Sequence, residues 1–521
     1  MIKKFISSII LASPIIMFAQ EADTIAQRYS RQVDSIQLKA HLNIIASDAF
    51  EGRETGRKGQ KLAADYIQKE FRKLKLKPGN DTSFLQNYPL VVRKPGNIDF
   101  SVNGTPYVFR KDFYTIPQPE FHDQTFEAAE VFFLGYGIKD STMKYDNYKK
   151  APDLKGKVVI IYPGEPKDKG GNFLKTGTKE ESNWTGNPAD KINAAREAGA
   201  KVVLFITTAD PAALKKAGRG NGEKMALATK IPEKGEMMFF QISKEMGAKI
   251  LGVDPEEQIK KMESNSKAKL LKVEVKLKIE VHRDEPGYSG DNVIGILEGS
   301  AKPKEYVFVT AHYDHLGIQG GLIYNGADDD GSGTVSVLTL AKAFAKAKEE
   351  GHGPERSIVF MTVSGEEKGL LGSGWYVAHP TIPLELIECD LNIDMIGRVD
   401  EQHTNDRNYV YIIGSDKLSS ELHAISEHTN ATYSKLKLDY TYNDVNDPNR
   451  FYYRSDHYNF AKNNIPVIFY FNGTHADYHQ PSDKIEKIEF DLLEKRARLV
   501  FYTLWDLANR QERIVVDSHK N

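Results

Sequence analysis

The feature that most restricts what this chain can fold into is a series of continuous apolar β runs, each ending in polar or charged residues. "EYVFVTAHYD" (305–314), "RSIVFMTVSGEE" (356–367), "IECDLNIDMIGR" (387–398) and "NIPVIFYFNG" (464–473) all share this form. Between the first two lies "GTVSVLTLAKAFAKAKEE" (333–350), whose apolar spacing predicts a strong helix. Strands that are apolar on both faces must be covered on both faces. Their alternation with helices therefore predicts an α/β fold, a mostly parallel sheet with helices on either side. In such sheets ligands collect beyond the carboxyl ends of the strands.

The remainder of the 521-residue chain divides by composition, and its length alone suggests about three domains. Residues 1–20, "MIKKFISSIILASPIIMFAQ", carry two lysines and then a short apolar run, the layout of a secretory signal peptide. No later stretch approaches the ~18 uninterrupted apolar residues of a membrane span, so no stable membrane association is expected after signal cleavage. The single cysteine, Cys389, can form no internal disulfide. Export without disulfides fits a periplasmic or extracellular location. Residues 21–124 are read as the first part of the main domain, with a helix over "LAADYIQKEFRKLKLKP" (62–78). Residues 125–285 have a different character. "GKVVIIYPG" (156–164) and "DKINAAREAGAKVVLFITT" (190–208) give a strand, a helix and a strand without chemistry-bearing ends, which predicts an inserted smaller α/β or β-rich domain. Residues 286–521 carry the strand series. A net charge of −2 leaves no basic surface for nucleic acid, and the lysine-rich "KAKLLKVEVKLK" (267–278) reads as a solvated face.

The strand ends hold the chemistry. "AHYDHLG" (311–317) supplies His312 and Asp314, and "NGADDDGSGT" (325–334) follows with three consecutive aspartates. "SGEEKGLLGS" (364–373) supplies Glu366 and Glu367, "NIDMIG" (392–397) Asp394, and "THADYHQPSD" (474–483) His475 and His479. Each motif alone is weak; all five on one rim point to a bound cation. An EF-hand loop fails, because Thr339 stands where that loop needs a bidentate glutamate. Imidazoles mixed with carboxylates suit zinc or a related divalent ion, and two such ions would offset three carboxylates. A bridging role for one aspartate would explain why three like charges are tolerated side by side. No Gly-x-Ser-x-Gly elbow, His-Glu-x-x-His helix or phosphate loop occurs, and Cys389 sits within an apolar strand.

Together with "FEGRETGRKGQKLAADYI" (50–67) and "DYHQPSDK" (477–484), these motifs resemble the di-zinc exopeptidases of metallopeptidase family twenty-eight, relatives of bacterial leucyl aminopeptidases and glutamate carboxypeptidase. The central section resembles their inserted protease-associated domain. The resemblance implies two Zn2+ ions per chain. It implies His312, Asp329, Glu367, Asp394 and His479 as metal ligands, with Asp329 bridging. Glu366 would be the general base, and Asp314 would orient the His312 ring. Spacing alone does not select Asp329 over its neighbours or His479 over His475; the resemblance does. It further implies peptide substrates with a free N-terminus. A carboxypeptidase, a glutaminyl cyclase and a non-catalytic binding relative are the alternatives on the same scaffold. Arg398, Arg450 and Arg454 are the candidates for a carboxylate-binding cluster.

Overall fold

The computed structural model describes residues 22–93, 98–109, 111–115, 124–186, 188–207, 224–228, 237–264, 270–282 and 287–518. The leader at 1–20 lies outside these residues. The chain divides into two compact units, one formed by residues up to Asn87 together with Asp291 onward, the other by Tyr88–Gly290.

The first unit is built on a mixed sheet. Its labelled elements, in chain order, are α1 (Ser35–Ile45), α2 (Lys58–Lys73), β1 (Leu85–Arg93), β2 (Tyr288–Leu297), β3 (Lys302–His312), α3 (Gly333–Glu349), β4 (Arg356–Val363), α4 (Leu371–Ala378), β5 (Ile387–Ile393), β6 (Tyr409–Ile413), β7 (Lys437–Asp439), α5 (His457–Ala461), β8 (Val467–Phe471) and α6 (Phe490–Asn509). β1 and β2 carry the chain across the boundaries of this unit, and from β2 the strand order is β2-β4-β3-β5-β8-β6-β7. The four strands read from the sequence, β4, β3, β5 and β8, are neighbours and mutually parallel. β2 runs antiparallel to β4, and β6 antiparallel to β8.

Alternate residues of each central strand enter different cores. Val307 and Val309 of β3 pack with Leu338 and Phe344 of α3, Leu42 of α1, Ile67 of α2 and Leu504 of α6. Phe308, between them, points to the other face, where it meets Tyr376 of α4 and Phe460 of α5. Each such fully buried side chain contributes about 1.5–3 kcal/mol, which is why β3, β4 and β8 are apolar at nearly every position; β5 instead alternates, burying Glu388, Asp390 and Asn392 on one face. α1 begins where the Asp34 carboxylate accepts from the Gln37 N–H at 2.9 Å, an N-cap.

The second unit is an eight-stranded sheet with the order 105–107, 98–102, 271–281, 124–133, 158–161, 202–207, 238–243, 113–114. Its central strands are parallel, and helices Pro188–Glu197 and Lys244–Leu251 accompany them. This unit opens at Tyr88 and closes at Gly290, a correction to the boundaries 125 and 285. The reason is pairing: Ile98–Val102 forms a ladder with Leu277–Val281, and Phe113–Tyr114 pairs with Gln241–Ile242. Strands that precede 125 thus complete this sheet. The lysine-rich stretch near 270 is one of its strands, with apolar residues inward and lysines outward.

Candidate metal centre

The carboxyl ends of the four parallel strands converge, and the loops leaving them bring the polar residues together. His312 is the last residue of β3, Asp394 directly follows β5, Glu366 and Glu367 follow β4, and His479 lies on the loop after β8. Asp329 occupies the irregular turn that leads into α3, next to a cis peptide bond with Asp330. Gly333, the first residue of that helix, is confined: an added Cβ would come within 2.4 Å of the Asp330 carboxylate and 2.5 Å of the Ile393 carbonyl.

The three aspartates have three destinations. The Asp328 carboxylate accepts the Gly397 N–H at 2.7 Å and meets His475 Nε2 at 3.0 Å. Asp330 accepts from Gly333 N–H at 2.8 Å and Met395 N–H at 3.0 Å. Burial, then Asp394, pushes its carboxyl well above the usual range. Asp329 alone faces the site: its Oδ1 lies 3.3 Å from His312 Nε2 and its Oδ2 3.1 Å from His479 Nε2. Asp483 accepts the backbone N–H groups of both Asp328 and Asp329 at 3.1 Å, fixing the turn.

Two groups of donor atoms result. His312, Asp329 and Asp394 form one, and His315, Asp329 and Glu367 the other. His312 Nε2 is 3.6 Å from Asp394 Oδ1. His479 Nε2 is 3.1 Å from Glu367 Oε2 and so belongs with the second group. His475 belongs to neither, being engaged by Asp328. Asp314 meets His312 Nδ1 through its carbonyl at 3.1 Å, with its carboxylate at 3.6 Å. That carboxylate accepts the Thr55 hydroxyl at 2.5 Å and the Glu366 N–H at 3.3 Å. A His312 Nδ1–H donated to the Asp314 carbonyl leaves the Nε2 lone pair free for a ligand.

The electrostatics ask for positive charge. Burial alone would raise Asp329 and Glu367. The neighbouring imidazoles instead hold Asp329 well below the usual carboxylate range and Glu367 down to about 2. Burial would lower His479, but Asp329 and Glu367 lift it to about 10. Buried carboxylates this crowded require cations. Glu366 behaves differently: burial dominates and raises it well above its ordinary value. It lines a small cavity with His312, Asp329, Asp394, Phe451 and Tyr478. Buried Asp329 Oδ2 and Glu367 Oε1 have no hydrogen-bond partner among the described residues, as expected of atoms reserved for a metal. The donor set of two or three imidazoles with three carboxylates fits a pair of zinc ions.

Further residues complete the surroundings. Ser455 donates its hydroxyl to Asp394 at 2.7 Å and receives the Asn392 side-chain amide at 2.9 Å. Thr55 lies on a different segment with no metal-ligand signature. His315 stood inside "AHYDHLG" as a third histidine-or-acid position, yet its spacing matched no motif.

Residues 292–504 match the model of Peptidase family M28. A probable zinc metalloprotease of Pyrenophora tritici-repentis is 28% identical over 263 residues, which cover 42% of this chain and 51% of that protein. Aminopeptidase YwaD of Bacillus subtilis is 26% identical over 233 residues, covering 43% and 46%. Leucine aminopeptidase 1 of Penicillium rubens is 30% identical over 212 residues, covering 39% and 52%. The chain thus spans about half the length of the curated relatives it matches. Among solved structures, the aminopeptidase from Aneurinibacillus sp. strain AM-1 superposes with a TM-score of 0.54 at 17% identity, over 95% of this chain and 100% of that one, a likeness of fold. The likeness of this chain to Peptidase family M28 is thus carried by residues 292–504.

Proposed function

We propose that this chain is an exported di-zinc aminopeptidase that removes residues from the free N-terminus of peptides. The observation that carries the reading is Asp329, whose two carboxylate oxygens face separate donor groups, toward His312 on one side and His479 on the other. Similarity to zinc metalloproteases and aminopeptidases supports the activity. The lysines and apolar run of residues 1–20 support export. The unit at 88–290 is read as a protease-associated domain.

Zinc bound by these residues supplies a Lewis acid for the scissile carbonyl and lowers the pKa of the attacking water. Glu366, its carboxyl raised by burial, takes the proton from that water and delivers it to the departing amine. Asp314 holds the base in place by accepting the Glu366 N–H. Met395, Phe451, Phe469 and Phe471 form an apolar wall beside it, suited to exclude bulk water and receive an apolar side chain.

A carboxypeptidase is the second reading, and Arg454 is its support. Arg398 is occupied by Asp477 at 3.0 Å, whereas exposed Arg454 lines the same cavity and stacks on Phe451 at 4.8 Å. Mass spectrometry of a peptide library with free and acetylated amino termini, with and without chelator, separates the two. Chelator-sensitive loss of single residues from free amino termini only is the expected result. Trimming from the carboxyl end would replace the leading reading with the second.

A further inference from the structure

His315 lies three residues beyond His312 and is fully buried. Its ring is seated against Gly326, where an added Cβ would come within 2.5 Å of the imidazole. The chain has therefore kept a glycine, at φ +54°, beneath a ring that the expected ligand set does not use. Nδ1 lies 2.8 Å from Glu367 Oε1 and 3.8 Å from Asp329 Oδ2. At 2.8 Å a hydrogen bond would form if the N–H axis pointed at the oxygen. Yet both His315 ring nitrogens, Glu367 Oε1 and Asp329 Oδ2 lack a hydrogen-bond partner among the described residues, and of these Nδ1 and the two oxygens face one another. Buried polar atoms left without partners are costly, and here three of them converge. Their separations have a simple meaning. Atoms bound at about 2.1 Å to one zinc ion stand roughly 2.8–3.8 Å apart as the angle between them opens from about 85° to 130°. His479 Nε2 falls in the same range, 3.1 Å from both Asp329 Oδ2 and Glu367 Oε2.

We propose that His315, through Nδ1, is an additional ligand of the second ion, alongside Asp329, Glu367 and His479. The inference rests on the two-ion reading of the site. It makes the two halves unequal. The half at His312 has Asp329 and Asp394 with a single imidazole and keeps more open positions, while the other half is closed by four side chains. Structural zinc sites are closed in this way, and catalytic ones retain an opening. The half at His315 is then the tighter one and fills first.

The test uses the full chain loaded with zinc. X-ray absorption at the zinc edge counts imidazoles, and three shared between two ions is the expected result. Two shared between two ions would overturn ligation by His315. The apo-protein is also titrated with zinc against a chromophoric chelator. His315→Ala should weaken the tighter of two sites at least about tenfold and leave the other unchanged; equal affinities in variant and parent would overturn the proposal. The absorption measurement needs no variant, so a folding failure of His315→Ala leaves the answer intact. Fewer than two zinc ions per parent chain would instead remove the two-ion reading itself, and this inference with it.

Discussion

At the scale of single residues, the proposed reading separates groups that bind from a group that moves a proton. Glu366→Gln keeps the shape and removes the base. We expect two zinc ions by elemental analysis and turnover reduced about 10²- to 10⁴-fold; near-normal turnover would remove Glu366 from the role. A second prediction concerns His457, buried against Phe469 and lowered to about 3 by desolvation. Its folded pKa lies below the unfolded value, so the unfolded chain binds the extra proton. Stability from this group is complete above about pH 6.5 and declines as pH falls toward 3, by at most about 1.4 kcal/mol per pH unit. In His457→Phe, denaturant unfolding between pH 7 and 5 should show a shallower acid slope than the parent; identical slopes would refute it. Residue identity was the least legible level in the sequence. Three consecutive aspartates are equivalent on paper. Only the fold sends Asp328 to Gly397 and His475, Asp330 to the start of α3, and Asp329 between the histidines.

At the scale of elements, the site depends on one buried guanidinium. Arg53 donates to the carbonyls of Ile45 at the end of α1, Tyr313 after β3, and Asn325 and Gly326 before the aspartate turn, at 2.7–2.8 Å. Its fork ties three separate segments at four points, which a lysine cannot reproduce. Arg53→Lys should cost at least about 3 kcal/mol in denaturant unfolding through the carbonyls left unpaired, with looser zinc retention. A loss under about 1 kcal/mol would show that water replaces the fork. The strands β3, β4 and β8 were legible because burial on both faces demands a nearly continuous apolar run; β5 alternates instead, with Glu388, Asp390 and Asn392 buried on one face. The flanking antiparallel strands were not. β2, "YSGDNVIGIL", interrupts its apolar residues with buried Asp291 and Asn292, so it carries no continuous apolar run.

At the scale of the whole molecule, the chain leaves the first unit at Asn87 and returns at Asp291, and these two residues are joined by a 2.9 Å hydrogen bond between their side chains. A short glycine linker in place of residues 88–290 should therefore yield a folded protein that binds two zinc ions. An unfolded or metal-free product, judged by circular dichroism and elemental analysis, would show that the second unit is needed for the first to form. The existence of this insertion was legible from composition. Its true start was not, since strands 98–102 and 113–114 gain their place only by pairing with residues far along the chain.

The donor atoms reach the rim from loops distributed along the second half of the sequence, from His312 to His479. In polymer terms, metal held there would be a set of ring closures, each withdrawing freedom that the unfolded chain would otherwise regain. Ions that bind only the folded form also add stability by mass action. Chelation should then lower the melting temperature by several degrees, and on heating the holoprotein the release of zinc, followed by a metal-sensitive dye, should coincide with loss of structure. Zinc release well before unfolding would break that link. With the link intact, a cell short of zinc loses the folded molecule as well as its turnover, so metal supply governs how long the protein lasts.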